Sequence, residues 1–154
     1  MVGQPLLEEL QRRSFANASA ATRLAFPDGT RMSNQKLCDF LDGHRFAVVS
    51  TTRGDGRPHA VPASYIRRDA TLWLPTVKGS VRERNVRRVP WLVLVVAEGD
   101  RDTHRMVMVE GPAGVVPADA VPPDVAAGMA EEPWVSRWLR LTAERLLSYD
   151  GPAD

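Results

Sequence analysis

The stretch SNQKLCDFLDGHRFAVVSTTRGDGRPHAVPASYI, residues 33–66, changes its periodicity part-way along. Apolar residues first recur at helical spacing, between a serine that suits an N-cap and a glycine that suits a stop, which predicts a helix over residues 34–42. A β-branched run over 45–52 follows, and then the turn RGDGRP and a second strand-like run over 59–68. These segments predict an antiparallel hairpin whose loop is longer than the tightest type.

The segments after this hairpin also predict mostly sheet. Residues 71–77 predict a third strand, and residues 91–99 (WLVLVVAEG) are so uniformly apolar that they predict a strand buried on both faces. Residues 104–116 alternate more and contain Gly111, which predicts a bulge or a close approach of two backbones. Between the third and fourth strands lies the basic stretch KGSVRERNVRRVP, residues 78–90, which predicts a short helix.

Further helices are predicted towards both ends of the sequence. Residues 4–17 (QPLLEELQRRSFAN) space their apolar side chains helically, which predicts an amphipathic helix. Residues 117–134 are interrupted by prolines and predict short helical pieces, whereas residues 140–151 (RLTAERLLSYDG) permit either a helix or a closing strand. Together the segments predict a small, mostly antiparallel β-barrel with peripheral helices.

Length, charge and cysteine content limit the classes of function. The chain has 154 residues, enough for one domain with a substantial core, and its net charge is +1. This balance argues against a general nucleic-acid-binding protein, and any anion site must therefore be local. Cys38 is the single cysteine, and no Cys/His cluster has metal-ligand spacing. There is no signal-peptide pattern and no apolar run of membrane-spanning length, so we expect a cytoplasmic protein.

The basic stretch concentrates Lys78 and four arginines around a predicted helix start. Ser80 and Glu83 fit the S-x-x-E capping box, which places that start at Ser80. A helix N-terminus attracts anions through its dipole and its free amides, and Lys78 and Arg82 flank it within about one turn. The residues therefore suit a phosphate site, and a solvated basic helix face is the alternative.

The order of these features closely resembles the pyridoxamine 5′-phosphate oxidase-like split-barrel family, which includes flavin- and deazaflavin-dependent oxidoreductases. The matching features are a helix that ends in Phe-Leu, a strand that ends in Ser/Thr, the D-G-x-P turn and a second strand that contains proline. A Ser-x-Arg/Lys-x-x-Asn helix then leads to a proline and an apolar strand, and RLTAERLLSYDG resembles the family's closing strand. The resemblance covers about residues 32–151.

This resemblance implies a fold that is mainly β with peripheral α, a split β-barrel. It implies that residues 32–154 form a split-barrel domain that binds a flavin or a deazaflavin. Residues 1–31 lie outside it and form an N-terminal helical extension. The resemblance also favours the strand over the helix for residues 140–151.

The family's cofactor-binding positions carry over to ten residues. They would bind the phosphate at the helix start, line the isoalloxazine or deazaflavin ring from the first two strands, and add a polar group at the end of the third strand. In chain order they are Ser50, Thr51, Thr52, Pro62, Ala63, Ser64, Thr76, Lys78, Ser80 and Arg82. His59, which follows the turn, is interpreted as a surface-strand residue, with a position that faces the substrate as the alternative. Asn85 is interpreted as an anchor of the helix. No side chain is identified as catalytic, and no metal site is expected.

The implied function is that of an oxidoreductase that uses coenzyme F420 or FMN to transfer a hydride to or from a small organic molecule. The basic helix would suit the polyanionic tail of F420, with Arg87 and Arg88 either reaching that tail or facing water. The family usually forms homodimers with the cofactor between the subunits. A non-catalytic flavin or haem carrier on the same barrel is the alternative. An oligonucleotide-binding barrel is disfavoured by the near-neutral charge.

Overall fold

The computed structural model describes residues 6–153, which form eight strands and five α-helices. The helices are α1 (Leu7–Ala16), α2 (Ala20–Ala25), α3 (Asn34–Gly43), α4 (Val81–Arg88) and α5 (Pro123–Ala127). The strands are β1 (Phe46–Thr52), β2 (Pro58–Ser64), β3 (Ile66–Arg68), β4 (Thr71–Thr76), β5 (Trp91–Gly99), β6 (Thr103–Val116), β7 (Arg137–Thr142) and β8 (Arg145–Pro152). No helix in this part of the chain is long and apolar enough to cross a membrane.

The helix and hairpin predicted for residues 33–66 are confirmed, with one change. Ser33 caps α3, since its Oγ accepts a hydrogen bond from the Lys36 amide at 3.3 Å. β1 and β2 pair antiparallel along their whole lengths. The predicted second strand divides at Tyr65, because the residues before it pair with β1 and those after it pair with β4.

The strand order shows how the sheet closes on itself. Neighbouring strands follow the order β2-β1-β5-β6-β7-β4-β3, and β8 pairs with β6 beside this path. The two ends of the path, β2 and β3, are consecutive in the chain and are separated only by Tyr65. The antiparallel sheet must therefore curl until its two edges meet, which gives the split barrel that the sequence predicts.

β6 belongs to both halves of the barrel. Residues 104–112 pair with β5, whereas residues 113–116 pair with β7. Gly111 lies next to this change of partner, and a Cβ built on it would be only 2.0 Å from the Thr142 carbonyl oxygen. The close approach of two backbones predicted at Gly111 is thus confirmed, and a glycine is needed there.

Two apolar clusters hold the fold together. The main core fills the barrel, and its completely buried members include Leu37, Leu41, Leu74, Leu92, Leu94 and Leu139. The smaller cluster is built around α5 and consists of Trp73, Val116, Val121, Val125, Met129 and Trp138. Residues 117–134 form the short helical pieces predicted for them, and α5 is one of these.

α1 packs against β8, so that elements from opposite ends of the described chain are in direct contact. Ser14 Oγ accepts a hydrogen bond from the Leu146 amide at 3.0 Å. Gln11 is buried, donates from Nε2 to the Met32 carbonyl at 2.8 Å, and accepts a hydrogen bond from the Ser148 hydroxyl. The helix predicted over residues 4–17 is therefore present from Leu7 to Ala16. Residues 4 and 5 of the prediction lie outside the described part of the chain.

Two predictions about strands are wrong. β5 is buried on one face only: Leu92, Leu94 and Val96 point into the core, while the side chains between them are half-buried or exposed. Residues 140–151 are strand and not helix, as the resemblance implied, but they do not form the one closing strand expected, because they contain parts of two strands, β7 and β8. β7 is thus an additional strand that pairs with both β4 and β6.

Candidate functional site

Polar side chains from three elements meet along α4. We call them the polar cluster, and its members are Thr51 of β1, Thr76 of β4 and, at or within α4, Ser80, Arg82 and Asn85. Thr51, Thr76 and Asn85 are buried, and Ser80 and Arg82 are half-buried. Asn85 Nδ2 donates to Thr51 Oγ1 at 3.0 Å, which ties α4 to the end of β1.

The capping box predicted at the start of α4 forms, with one bond shifted by a residue. Ser80 Oγ accepts a hydrogen bond from the Glu83 amide at 3.2 Å. The Glu83 carboxylate accepts from the Gly79 amide at 2.6 Å, because the Ser80 amide already donates to Val77. Burial alone would raise the pKa of Glu83, but the Gly79 bond and the neighbouring Arg87 outweigh it and lower that pKa. Glu83 is therefore a fully engaged anion.

A chain of hydrogen bonds runs from Arg82 to Ser80. Arg82 Nη2 donates to Thr76 Oγ1 at 3.1 Å, and Thr76 Oγ1 donates to Ser80 Oγ at 2.9 Å. Ser80 Oγ thus accepts two hydrogen bonds, from Thr76 and from the Glu83 amide. A hydroxyl carries one proton of its own, and that of Ser80 has no acceptor within residues 6–153. The chain ends in a donor that is still available.

Arg82 lacks a counterion in the described part of the chain. Its Nη1 is buried and has no hydrogen-bond partner there. Burial lowers the pKa of Arg82, yet a guanidinium group stays protonated in proteins. Since buried charges are normally paired, the free face of this guanidinium marks a place for an anion.

His59 of β2 lies beside the polar cluster, opposite Thr51 of β1. It is half-buried, whereas the sequence was interpreted as placing it on the surface, and its Nδ1 is buried without a partner in residues 6–153. Burial, and then the charges of Arg53 and Arg82, lower the pKa of His59. The imidazole is therefore neutral at physiological pH, and an anion that offset the two arginines would make it easier to protonate.

The ten predicted site residues fall into separate places. Four of them belong to the polar cluster: Thr51, Thr76, Ser80 and Arg82. Ala63 is buried in the core, on the same inner face of the sheet as Thr51. Side chains alternate along a strand, which puts four others on the opposite, outer face: Ser50, Thr52, Pro62 and Ser64. Lys78 is exposed, and its backbone amide donates to Ser136 Oγ at 2.8 Å, while its ammonium group has no partner in the described part of the chain.

Two residues of this region were not among the predicted site residues, namely Asn85 and His59. The asparagine of the Ser-x-Arg/Lys-x-x-Asn pattern was a usable signal for Asn85, which anchors the helix as interpreted. For His59 the signal was its position directly after the turn RGDGRP, which left open that it faces the site. Its position next to Arg82 appears only in the folded chain.

The donors of the polar cluster fit an anion. They comprise the guanidinium of Arg82, the hydroxyl of Ser80 and the N-terminal end of α4, which together suit a phosphate group. The one carboxylate nearby, that of Glu83, is occupied by Gly79 and Arg87. Among residues 6–153 no three His, Cys, Asp or Glu side chains lie close enough together to hold a metal ion.

Comparison with known proteins identifies one family. The family model described as pyridoxamine 5′-phosphate oxidase matches residues 33–147, about three quarters of the chain. No curated protein sequence matches significantly.

Solved structures share the fold. The conserved hypothetical protein Rv2991 from Mycobacterium tuberculosis is 25% identical, with a TM-score of 0.69 over 81% of this chain and 89% of its own. The FAD binding protein from Mycobacterium smegmatis is 16% identical, with a TM-score of 0.60 over 80% of this chain and 99% of its own. The heme storage protein HutZ from Vibrio cholerae is 16% identical, with a TM-score of 0.64 over 77% of this chain and 95% of its own.

Proposed function

Since the chain belongs to the pyridoxamine 5′-phosphate oxidase family, we propose that it binds a flavin-type cofactor and acts as an oxidoreductase. The cofactor is coenzyme F420 or FMN, and the reaction is a hydride transfer to or from a small organic molecule. The proposal includes the cytoplasmic homodimer expected from the sequence.

The observation that carries this proposal is Arg82, which has a buried Nη1 without a hydrogen-bond partner and no counterion within residues 6–153. Both candidate cofactors contain a phosphate, and a phosphate oxygen would accept a hydrogen bond from Arg82 Nη1. The Ser80 hydroxyl is oriented by Thr76 and the Glu83 amide, and its proton is free for a second phosphate oxygen. The residues of the polar cluster therefore fit the phosphate end of either cofactor.

Chemistry and binding are divided between cofactor and protein. A bound flavin or deazaflavin would supply the hydride donor or acceptor, which no protein side chain provides. Thr76 is buried, so the middle of the hydrogen-bond chain from Arg82 to Ser80 is shielded from water. The role of the protein's own residues is to hold the phosphate, orient the ring system and limit access of water.

The direct test is to identify the cofactor and follow its redox state. The absorbance spectrum of the purified protein, and mass spectrometry of what it releases on denaturation, identify any bound group. FMN and F420 are then titrated into cofactor-free protein, and the reduced complexes are mixed with a panel of enones and quinones. We expect tight binding of one of the two and reoxidation accelerated by at least one substrate. Failure of both cofactors to bind at micromolar concentrations would refute the proposal.

A carrier without catalysis is the second candidate. It is favoured by two structures of this fold, which are named as a FAD binding protein and a heme storage protein. Arg82 is the one titratable side chain of the polar cluster, and the adjacent Glu83 is engaged with Arg87, so the cluster offers no pair of side chains for acid–base chemistry. A cofactor that binds tightly but stays inert with every member of the panel, tetrapyrroles included, would favour the carrier.

An exposed apolar surface supports the homodimer. We call it the outer face, and it consists of Phe46, Val48, Pro62, Val93 and Val95 on β1, β2 and β5. Phe46 is 58% exposed and Val48 is 49% exposed, although both lie within regular strands. Contiguous exposed apolar residues of this kind mark interaction sites. The same face carries Ser50, Thr52, Pro62 and Ser64, so a second copy packed there would complete the ring site predicted from the sequence.

Replacing Val48 by aspartate is expected to weaken the homodimer by at least about tenfold, because a charge would be buried twice across a symmetric interface. The measurement is sedimentation velocity over a micromolar concentration series. Leu24→Asp, which changes an exposed leucine outside the outer face, is the control and should leave the dimer intact. A parent protein that stays monomeric with its cofactor bound would contradict the shared site.

A further inference from the structure

Trp134 lies on the segment between α5 and β7 and is the most exposed of the four tryptophans. Trp73 and Trp138 are buried in the cluster around α5 and Trp91 is 36% exposed, whereas Trp134 is 41% exposed. The neighbouring Val135 packs against that cluster, so the segment is docked on the barrel while the indole stays outside. No other aromatic ring or cation of residues 6–153 packs on this indole, and its face is therefore free.

The exposed indole is held in one orientation. Trp134 Nε1 donates a hydrogen bond to Glu132 Oε2 at 2.8 Å. The other carboxylate oxygen of Glu132 lies 3.5 Å from Arg45 Nη2, which ties this part of the segment to the residue before β1. A tryptophan has only two side-chain torsions, and the edge of this one is already bonded. A ligand that packs on the ring would therefore lose little affinity to ordering the side chain.

The segment that carries Trp134 is bonded directly to the polar cluster. The Ser136 amide donates to the Thr76 carbonyl at 3.1 Å, and the Lys78 amide donates to Ser136 Oγ at 2.8 Å. Arg82 Nη2 donates to the hydroxyl of the same threonine, also at 3.1 Å. Trp134 is therefore only two residues from a contact with Thr76, the residue to which Arg82 is bonded.

The other end of the segment lies beside the ring site predicted from the sequence. Met129, Arg45 and Ser64 line one cavity of about 440 Å³. Ser64 is the last residue of β2, at the end of that strand farther from the β1–β2 turn. The segment thus connects the polar cluster with the end of β2, and Trp134 lies between the two. A ligand that reaches from one to the other would pass the indole.

We propose that Trp134 is a stacking residue, whose free face packs on the planar ring system of a ligand that is held by its phosphate at Ser80 and Arg82. This inference rests on the proposed function, and it adds a residue that recognises the ring instead of the phosphate. Aromatic rings pack on each other in offset-stacked or edge-to-face arrangements that an aliphatic group cannot reproduce. Trp134 therefore favours phosphates that carry a planar aromatic ring over aliphatic phosphates.

The first test measures affinity. FMN and F420 are titrated by calorimetry into the cofactor-free parent, Trp134→Leu and Trp134→Phe. We expect affinity for the cofactor that the parent binds to fall about 5- to 100-fold in Trp134→Leu, as for aromatic side chains that stack on nucleobases. Trp134→Phe should lose less than about threefold, because it keeps an aromatic face. Leu24→Ala, which changes an exposed residue of α2, is the control and should bind as the parent does. Unchanged affinity in Trp134→Leu, or an equal loss in Trp134→Phe, would overturn the inference.

The second test observes Trp134 in the parent and does not depend on how well a variant folds. Protein labelled with fluorotryptophan gives a fluorine NMR resonance for each tryptophan, and the one missing from Trp134→Phe belongs to Trp134. Saturation with cofactor should shift this resonance more than those of the buried Trp73 and Trp138, because the stacked ring lies directly on it. A Trp134 resonance that stays in place would contradict stacking. Failure of the proposed function looks different, because the parent then binds neither FMN nor F420.

Discussion

Replacing Arg82 by alanine is expected to lower the affinity for FMN or F420 by about 10- to 100-fold. A charge-assisted hydrogen bond is worth about 1.5–3 kcal/mol, and about 1.4 kcal/mol corresponds to a factor of ten. Arg82 Nη1 is buried and has no partner within residues 6–153, so the alanine variant loses a donor that a phosphate would use. Fluorescence or calorimetric titration with both cofactors measures the effect.

Two further variants show whether the charge or the geometry of Arg82 matters. Arg82→Lys should lose much less affinity, because it keeps the charge and gives up only the two-pronged guanidinium. Arg87→Ala is the neighbouring control, since Arg87 is paired with Glu83 and should change FMN affinity little. If Arg82→Ala bound both cofactors as tightly as the parent, the polar cluster would not be the phosphate site and α4 would be only a basic surface helix.

Replacing Gly111 by alanine is expected to lower the melting temperature by about 5–10 °C. A Cβ at this position would lie 2.0 Å from the Thr142 carbonyl oxygen and 3.0 Å from the Glu144 amide nitrogen. Both are backbone atoms, which cannot move aside as the end of a side chain can. Overpacking costs about 1–3 kcal/mol or more, and each kcal/mol shifts the melting temperature of a domain of this size by about 2–4 °C.

Gly114 provides the matched control for this prediction because it lies on the same strand three residues later. A Cβ there would meet nothing within 4 Å, so Gly114→Ala should leave the melting temperature nearly unchanged. Thermal unfolding followed by circular dichroism compares the two variants directly. Equal stability of both variants would show that β6 does not need the close approach at Gly111.

Helix starts, which depend on residues close together in the sequence, were predicted correctly. Features that depend on how the strands pack were not. The caps at Ser33 and Ser80 lie within one turn of the amides they bind, and both predicted helix starts are confirmed. β7 was missed because Trp138 and Leu139 are both buried, the first in the cluster around α5 and the second in the main core. Two successive buried residues at the start of β7 interrupt the alternation that identifies strands, although burial alternates from Leu139 onwards.

The apolar run of β5 was misjudged for a related reason. Val93 and Val95 are valines whether they face a core or an outer surface, so the sequence could not show that one face of β5 stays partly open. Composition is the same for a protein interior and for a surface that another subunit covers. The distinction depends on which strands flank β5, and that is decided by the folding of the whole sheet.

The candidate site, too, could be predicted only where its signals are local in the sequence. Ser80 and Arg82 could be located because the capping motif is local and the family pattern covers it. A cavity between the β1–β2 turn and α4, with Arg53 and Arg88 in its walls, could not be located from the sequence. The turn and the helix are about 30 residues apart in the chain and meet only when the barrel closes.

The contact between α1 and β8 has a consequence for how the protein is made. Ser14 and Leu146, which are hydrogen-bonded to each other, are 132 residues apart in the chain. At a synthesis rate of about 5–20 residues per second, the helix leaves the ribosome on the order of ten seconds before its partner strand exists. A ten-residue helix is marginal in water by itself, so during that interval the leucines of α1 have no core to enter. The barrel must therefore complete its folding late in synthesis or after it, and until then these leucines are available to chaperones and to other unfinished chains.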